Sequence, residues 1–73
     1  MIFDKTNYTQ MGRPRAGDKV LNNKGKVLST VLRVRHNGAI VARSEHLFGM
    51  ELELCRGMHW EAWFENGGRM RRP

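Results

Sequence analysis

The sequence predicts a small all-β domain, and three observations support that prediction. Several short runs alternate apolar and polar residues at the period of a β-strand. Turn-forming residues separate these runs at intervals of about 8–12 residues, a spacing typical of small barrels and sandwiches. No long segment has a convincing helical periodicity. We therefore expect about five short strands around one apolar core.

The chain of 73 residues is long enough for one domain, which we expect at residues 17–73 behind a basic, irregular N-terminal arm of residues 1–16. Apolar residues make up 40% of the chain, which is enough for a compact core. Cys55 is the single cysteine, so no intramolecular disulfide is expected. No run approaches about 18 apolar residues, and the first residues lack a signal-peptide layout. The expected location is therefore the cytoplasm, away from any membrane.

The first half of the chain predicts two strands. Residues 16–18 form a turn before a short strand at residues 19–21. Residues 22–25 form a loop, and the β-branched run at residues 26–35 predicts a long second strand. The apolar face of this run changes midway, so we expect the strand to bend, as strands do at a bulge.

Asn37–Gly38 is the clearest local signal, because it lies between two apolar runs in the pattern of a two-residue type I′ hairpin. Such a turn pairs Val34 with Val41 and places both on the core face. Arg33 and Arg35 then lie on the opposite, solvent-exposed face.

The last third of the chain predicts a second hairpin. Residues 50–54 alternate strictly, residues 59–64 alternate again after a turn, and residues 69–71 form a last strand. In the predicted register, an acidic strip with one aromatic residue lies on the outer face: Glu51, Glu53, Glu61 and Trp63. The spacing of all these strands best fits a five-stranded SH3-like barrel.

Residues 17–42 resemble the opening of KOW-type and related SH3-like barrels. The matching features are Gly-Asp-Lys-Val at residues 17–20, a Lys-Gly loop at residues 24–25 and the long strand that follows. The resemblance implies an SH3-like fold whose first loop touches RNA or a protein partner. The small basic chain, with Trp-Phe-Glu-Asn-Gly-Gly-Arg at residues 63–69, is also similar in style to short accessory proteins of bacteriophages and prophages.

The charge distribution favours a nucleic-acid partner. The chain holds 13 Lys and Arg against 7 Asp and Glu, a formal net charge of +6, and the cations cluster in the first two-thirds. Gly12–Arg15 also resembles the core of an AT-hook, which binds a narrow minor groove. Seven residues are therefore the candidate contacts to DNA or RNA: Arg13, Arg15, Lys24, Lys26, Arg33, Arg35 and Arg43.

A second hypothesis is a phage-encoded regulator that docks on a host enzyme through the acidic strip. Exposed aromatic residues that stack on bases would favour nucleic acid instead, and the candidates are Tyr8, Phe48 and Trp63. Trp63 has acidic neighbours in the predicted register, so we assign it to a protein contact. The exposed edge of residues 50–54 further predicts a weak homodimer.

Catalysis, cofactors and metal binding have little support in the sequence. Cys55 and His59 could form a nucleophile pair, but no third orienting group or oxyanion hole accompanies them. The spacing of these two residues with His36 and His46 matches no standard zinc pattern, and Cys55 is expected to be partly buried. We therefore predict a protein that is not an enzyme and needs no cofactor or metal.

Overall fold

A computed structural model describes residues 1–46 and 48–73, which form a mostly β structure built on one six-stranded antiparallel sheet. The strands follow the spatial order β1-β6-β2-β3-β4-β5. Their bounds are β1 Ile2–Phe3, β2 Lys19–Leu21, β3 Val27–Val34, β4 Ile40–Ser44, β5 Glu51–Glu53 and β6 Arg69–Arg71. Two short helices, α1 (Tyr8–Met11) and α2 (Trp60–Glu65), and a 3₁₀ turn (Leu54–Gly57) complete the described structure.

The predicted β class is confirmed, but the predicted five-stranded closed barrel is wrong. The sheet has six strands and is open, with β1 at one edge and β5 at the other. The sixth strand comes from the segment expected to be an irregular arm, where Ile2 pairs with Arg71 and Phe3 pairs with Met70. This segment also places Phe3 and Met11 in the core, so it packs firmly rather than loosely.

The β3–β4 hairpin exists, but its predicted two-residue type I′ turn is wrong. The Arg35 N–H donates to the Ala39 carbonyl at 2.8 Å, and the Gly38 N–H donates to the Arg35 carbonyl at 2.8 Å. The loop therefore has three residues, 36–38. Gly38 has φ +88° while Asn37 lies outside the left-handed region, which is typical of a type I turn followed by one left-handed residue.

The extra loop residue shifts the hairpin register and changes which side chains share a face. Val34 pairs with Ile40 rather than with Val41, and Val41 pairs with Arg33. A shift of one residue moves a side chain to the other side of a sheet, so Val41 lies on the face of Arg33, outside the core cluster, although it is only 7% exposed. The expected bend of the strand is confirmed by a register irregularity between Val31 and Arg33.

The predicted strand at residues 59–64 is also wrong, because this segment forms α2. His59 caps the helix, with its Nδ1 accepting a hydrogen bond from the Glu61 N–H at 3.2 Å. Trp60, Trp63 and Phe64 have the i, i+3, i+4 spacing of a helix face, whereas Trp60, Ala62 and Phe64 have the alternation of a strand. Periodicity over so few residues does not separate the two structures, and burial of Trp63 and Phe64 against the sheet decides for the helix.

One face of the sheet packs against both helices and forms the core, whereas the other carries mostly charged side chains. The core cluster comprises Phe3, Met11, Val20, Val31, Ile40, Trp63, Phe64 and Met70. We call the opposite side the outer face, and strand alternation assigns to it Lys19, Thr30, Arg33, Arg35, Val41, Arg43, Glu51, Glu53, Arg69 and Arg71. Within residues 1–46 and 48–73, no helix is long and apolar enough to cross a membrane.

A buried ion pair joins the end of the chain to the segment before β2. The Arg72 guanidinium donates to both carboxylate oxygens of Asp18, at 3.1 and 3.0 Å, and Asp18 is only 2% exposed. Arg72 also donates to the carbonyls of Met11 at 3.0 Å and Arg13 at 3.3 Å, while the Arg15 N–H donates to Asp18. This arginine, part of the basic C-terminal tail in the sequence, therefore holds the fold together.

Candidate nucleic-acid interface

A line of polar side chains crosses four adjacent strands on the outer face, and we call it the cationic row. Lys19 of β2 pairs with Arg71 of β6 on one side and with Thr30 of β3 on the other. Thr30 in turn pairs with Arg43 of β4. Residues opposite each other in neighbouring strands lie on the same face, and strands are about 4.8 Å apart. The cationic row (Arg71, Lys19, Thr30 and Arg43) therefore extends over roughly 14 Å.

Hydrogen bonds hold part of this row in place. The Lys19 Nζ donates to the Thr30 Oγ1 at 2.9 Å, and that hydroxyl also lies 3.4 Å from the Glu45 carboxylate. The Arg43 guanidinium donates once, to the Gly49 carbonyl at 3.4 Å. Because a guanidinium has five N–H donors, Arg43 keeps most of its capacity for an anion. Arg43 and Arg71 are both exposed.

Arg33 and Arg35, predicted as exposed phosphate contacts, are exposed on the outer face but are not free. The Arg33 guanidinium lies 3.0 Å from the Glu51 carboxylate, and the Arg35 guanidinium lies 3.1 Å from that of Glu53. The β3 and β5 strands flank β4, so the two long arginine side chains reach across β4 over Val41. Arg33 and Arg35 of the predicted basic hairpin therefore form one mixed surface with Glu51 and Glu53, in which the opposite charges partly neutralise each other.

Arg13 and Arg15, the predicted phosphate contacts in the N-terminal segment, have different environments. The Arg13 guanidinium donates to the carbonyls of Val34 at 3.0 Å and Arg35 at 3.1 Å, so this side chain is bound to the end of β3. Pro14 is buried, while Arg15 is exposed. Arg13 and Arg15 are thus both exposed, but the Arg13 guanidinium is hydrogen-bonded to the end of β3.

Lys24 and Lys26 lie in the β2–β3 loop, apart from the cationic row in the strand register. The Asn22 side-chain oxygen accepts hydrogen bonds from the backbone N–H groups of both residues, at 2.8 and 2.9 Å, and so shapes the loop. In the described part of the chain, neither ammonium group has a hydrogen-bond or ion-pair partner. Both lysines remain available for a phosphate contact.

The predicted acidic-aromatic strip does not assemble. Glu51 and Glu53 are on the outer face, but Glu61 belongs to α2, where its carboxylate is 3.8 Å from the His59 ring. The prediction that Trp63 is exposed is wrong: it is 8% exposed and packs edge-on against Phe64. The physical reason is that residues 60–65 form a helix whose apolar face covers the sheet.

Of the three aromatic candidates for stacking on bases, one is available. The Tyr8 ring is half-buried and stacked on Phe64, with a centroid distance of 5.2 Å and an interplanar angle of 5°. The pKa of the Tyr8 hydroxyl is raised, chiefly because it hydrogen-bonds to the Glu65 carboxylate, with partial burial adding to the shift. Trp63 is buried, whereas the Phe48 side chain is fully exposed.

The remaining reactive side chains are dispersed. Across the two described ranges, no group of three or more His, Cys, Asp or Glu side chains is arranged to hold a metal ion. The expectation that Cys55 is partly buried is wrong, because Cys55 lies in the 3₁₀ turn at φ +50° and is exposed. His36 lies in the β3–β4 loop and His46 in the turn after β4, as expected.

Sequence reasoning missed two members of the cationic row, Lys19 and Arg71. The only sequence signal was that each lies in a predicted short strand. Their alignment depends on the pairing of β2 with β6, two strands from opposite ends of the chain. No local pattern reports such a pairing.

Comparisons of this chain with protein-family models, with curated proteins and with solved structures found no match.

Proposed function

We propose that this protein is a non-enzymatic nucleic-acid-binding module whose outer face binds the phosphate backbone of DNA or RNA. The observation that supports this proposal is the cationic row, with its exposed arginines on a sheet face that the helices leave uncovered. Several cations on one face are what phosphate neutralisation requires, and the guanidinium fork pairs with phosphate oxygens bidentately.

The charge balance of the outer face is consistent with an anionic partner. Six cations lie there, and three carboxylates of β5 and the turn after β4 oppose them: Lys19, Arg33, Arg35, Arg43, Arg69 and Arg71 against Glu45, Glu51 and Glu53. Two of those carboxylates are already paired with Arg33 and Arg35. The excess positive charge is therefore concentrated in the cationic row, which makes it the preferred phosphate site.

The proposed mode of binding is positional rather than sequence-specific. Contacts to phosphates set the register of a protein on a strand but carry no direct sequence information. The cations of the row are carried by neighbouring strands of one sheet and not by loops. Binding therefore requires little ordering of the backbone. Release of condensed counterions then drives association and makes it strongly dependent on salt.

The test is a salt titration of binding to a fluorescent oligonucleotide by wild-type protein and two double variants. Arg43→Gln with Arg71→Gln removes two charges from the cationic row. Lys24→Gln with Lys26→Gln removes the same formal charge from the β2–β3 loop and is the matched control. We expect the row variant to bind about tenfold or more weakly near 0.1 M salt, and its log–log salt slope to fall in magnitude by about 2.

The control variant should lose clearly less affinity than the row variant. Equal losses in both variants would show that net charge, and not the cationic row, determines binding. Absence of wild-type binding to any oligonucleotide at about 50 mM salt would overturn the proposed function. Circular dichroism spectra of all three proteins establish that the comparison is made between folded molecules.

A further inference from the structure

Phe48, in the connection between β4 and β5, stands in a position that the folding of the chain does not explain. Its relative exposure is 104%, so burial contributes nothing to holding it there. Its backbone has φ +53°, the left-handed region that bulky side chains rarely adopt. A large aromatic ring that is both fully solvated and conformationally disfavoured points to a role in binding.

The connection that carries Phe48 is hydrogen-bonded to Arg43, the last residue of the cationic row. The residue after Phe48 is Gly49, whose carbonyl accepts the hydrogen bond from the Arg43 guanidinium at 3.4 Å. Gly49 and Arg43 also line a hollow of about 260 Å³ together with Thr30, Ser44 and Glu45. A nucleic-acid strand whose phosphates contact Arg43 therefore lies next to the connection that carries the exposed Phe48 ring.

We infer that Phe48 stacks on an unpaired base of a single-stranded nucleic acid whose phosphates lie along the cationic row. This inference rests on the proposed function and specifies the form of its substrate. A single strand presents both faces of its bases to an aromatic ring, whereas a duplex hides them in the base stack. Stacking on one aromatic residue beside a line of cations is the mode by which barrels and sheets bind single strands with little sequence preference.

Of the three aromatic candidates for stacking on a base, only Phe48 is fully exposed. Tyr8 is stacked on Phe64 within the molecule, and Trp63 is buried. Met50 shares the connection with Phe48 and is 63% exposed, but it has no aromatic face. It supplies a matched control, because its removal takes away apolar surface from the same segment without removing a ring.

The experiment measures binding of two fluorescein-labelled probes, a 20-nucleotide oligo(dT) strand and a 20-base-pair duplex of mixed sequence, at one salt concentration. The proteins are wild type, Phe48→Ala, Phe48→Trp and Met50→Ala. We expect Phe48→Ala to weaken single-strand binding by about 5-fold to 100-fold and to change duplex binding by less than about twofold. Phe48→Trp should retain single-strand binding, and its emission should be quenched by oligo(dT) more than that of wild type.

Several outcomes would overturn the inference. Unchanged single-strand binding by Phe48→Ala, with wild type bound, would refute stacking and leave the proposed function intact. Equal losses on strand and duplex, or an equal loss for Met50→Ala, would show a general apolar contact instead of a stacked base. Failure of wild type to bind either probe, together with binding to phosphatidylglycerol vesicles, would refute both proposals and assign Phe48 to a lipid surface.

Discussion

The two faces of the sheet hold their ion pairs in opposite ways. On the core side, Asp18 is 2% exposed and Arg72 donates to both of its oxygens. On the outer face, Arg33 and Glu51 meet through one contact at 3.0 Å, with side chains 59% and 49% exposed. Both are salt bridges by distance, but only in the first is one partner, the Asp18 carboxylate, removed from water, while the Arg72 side chain is 23% exposed.

This difference predicts different roles for the two kinds of pair. A buried charge that loses its partner has no water to replace it, so breaking such a pair is strongly destabilising. An exposed pair exchanges its partner for water at little cost. The core-side pair therefore stabilises the fold, while the outer-face pairs can open and let their arginines contact a phosphate.

Removing the buried carboxylate should have the largest effect. We expect Asp18→Ala to lower the free energy of unfolding by about 3–5 kcal/mol, because the largely buried Arg72 guanidinium would lose its carboxylate partner and the Arg15 N–H its acceptor. Such a loss is a large share of the stability of a small domain, about 5–15 kcal/mol. Urea denaturation followed by circular dichroism measures it.

Asp4→Ala is the matched control for that experiment. Asp4 also accepts side-chain and backbone hydrogen bonds, from Thr6, but at an exposed turn. We expect a much smaller change for this variant, since its partners are solvated. Similar losses in the free energy of unfolding for the two substitutions would show that burial does not increase the contribution of the Asp18 ion pair to stability.

Gly38→Ala should have an intermediate effect, because Gly38 joins the outer-face hairpin to the helix that covers the core. Its φ is +88°, and an added Cβ would overlap the His59 ring. We expect a loss of about 1–3 kcal/mol from the strained backbone, with displacement of the ring adding to it. Gly25→Ala is the matched control, since Gly25 has φ +81° with open space around it. Equal melting temperatures for the two variants would exclude the contribution of His59.

The exposed pair should give the smallest effect. In a double-mutant cycle with Arg33→Gln and Glu51→Gln, we expect a coupling energy between 0 and about 1 kcal/mol that shrinks as salt is added. Thermal or urea denaturation of the four proteins gives this value. A coupling above about 2 kcal/mol would mean that Arg33 is committed to the fold and is not available to a phosphate.

The elements predicted well are those determined by neighbouring residues. The strand at residues 19–21 and the last strand at residues 69–71 have their predicted bounds, and the bend of β3 is present. The β3–β4 hairpin was predicted from Asn37–Gly38, but its register was wrong because a loop of three residues replaced one of two. One residue in a loop is enough to move Val41 from the core to the outer face.

The candidate site was predicted only in part. Arg43 was named from clustered charge and lies in the cationic row, whereas Lys19 and Arg71 were not named. The alternation of Trp60, Ala62 and Phe64 predicts a strand that exposes Trp63, whereas the helical spacing of the same segment buries it. Its burial depends on the sheet that α2 packs against, and no local pattern contains that information.

The sequence by itself determined the β class, several of the strands, the basic charge and the hairpin at residues 37–38, because these depend on periodicity, composition and turn chemistry within a few residues. Tertiary structure alone decided that β6 lies between β1 and β2, that Arg72 neutralises Asp18 and that Arg33 meets Glu51. These contacts join distant parts of the chain. Burial of one apolar face of the sheet stabilises a single strand order. That strand order brings the charged side chains next to each other, and the ion pairs form between these neighbours.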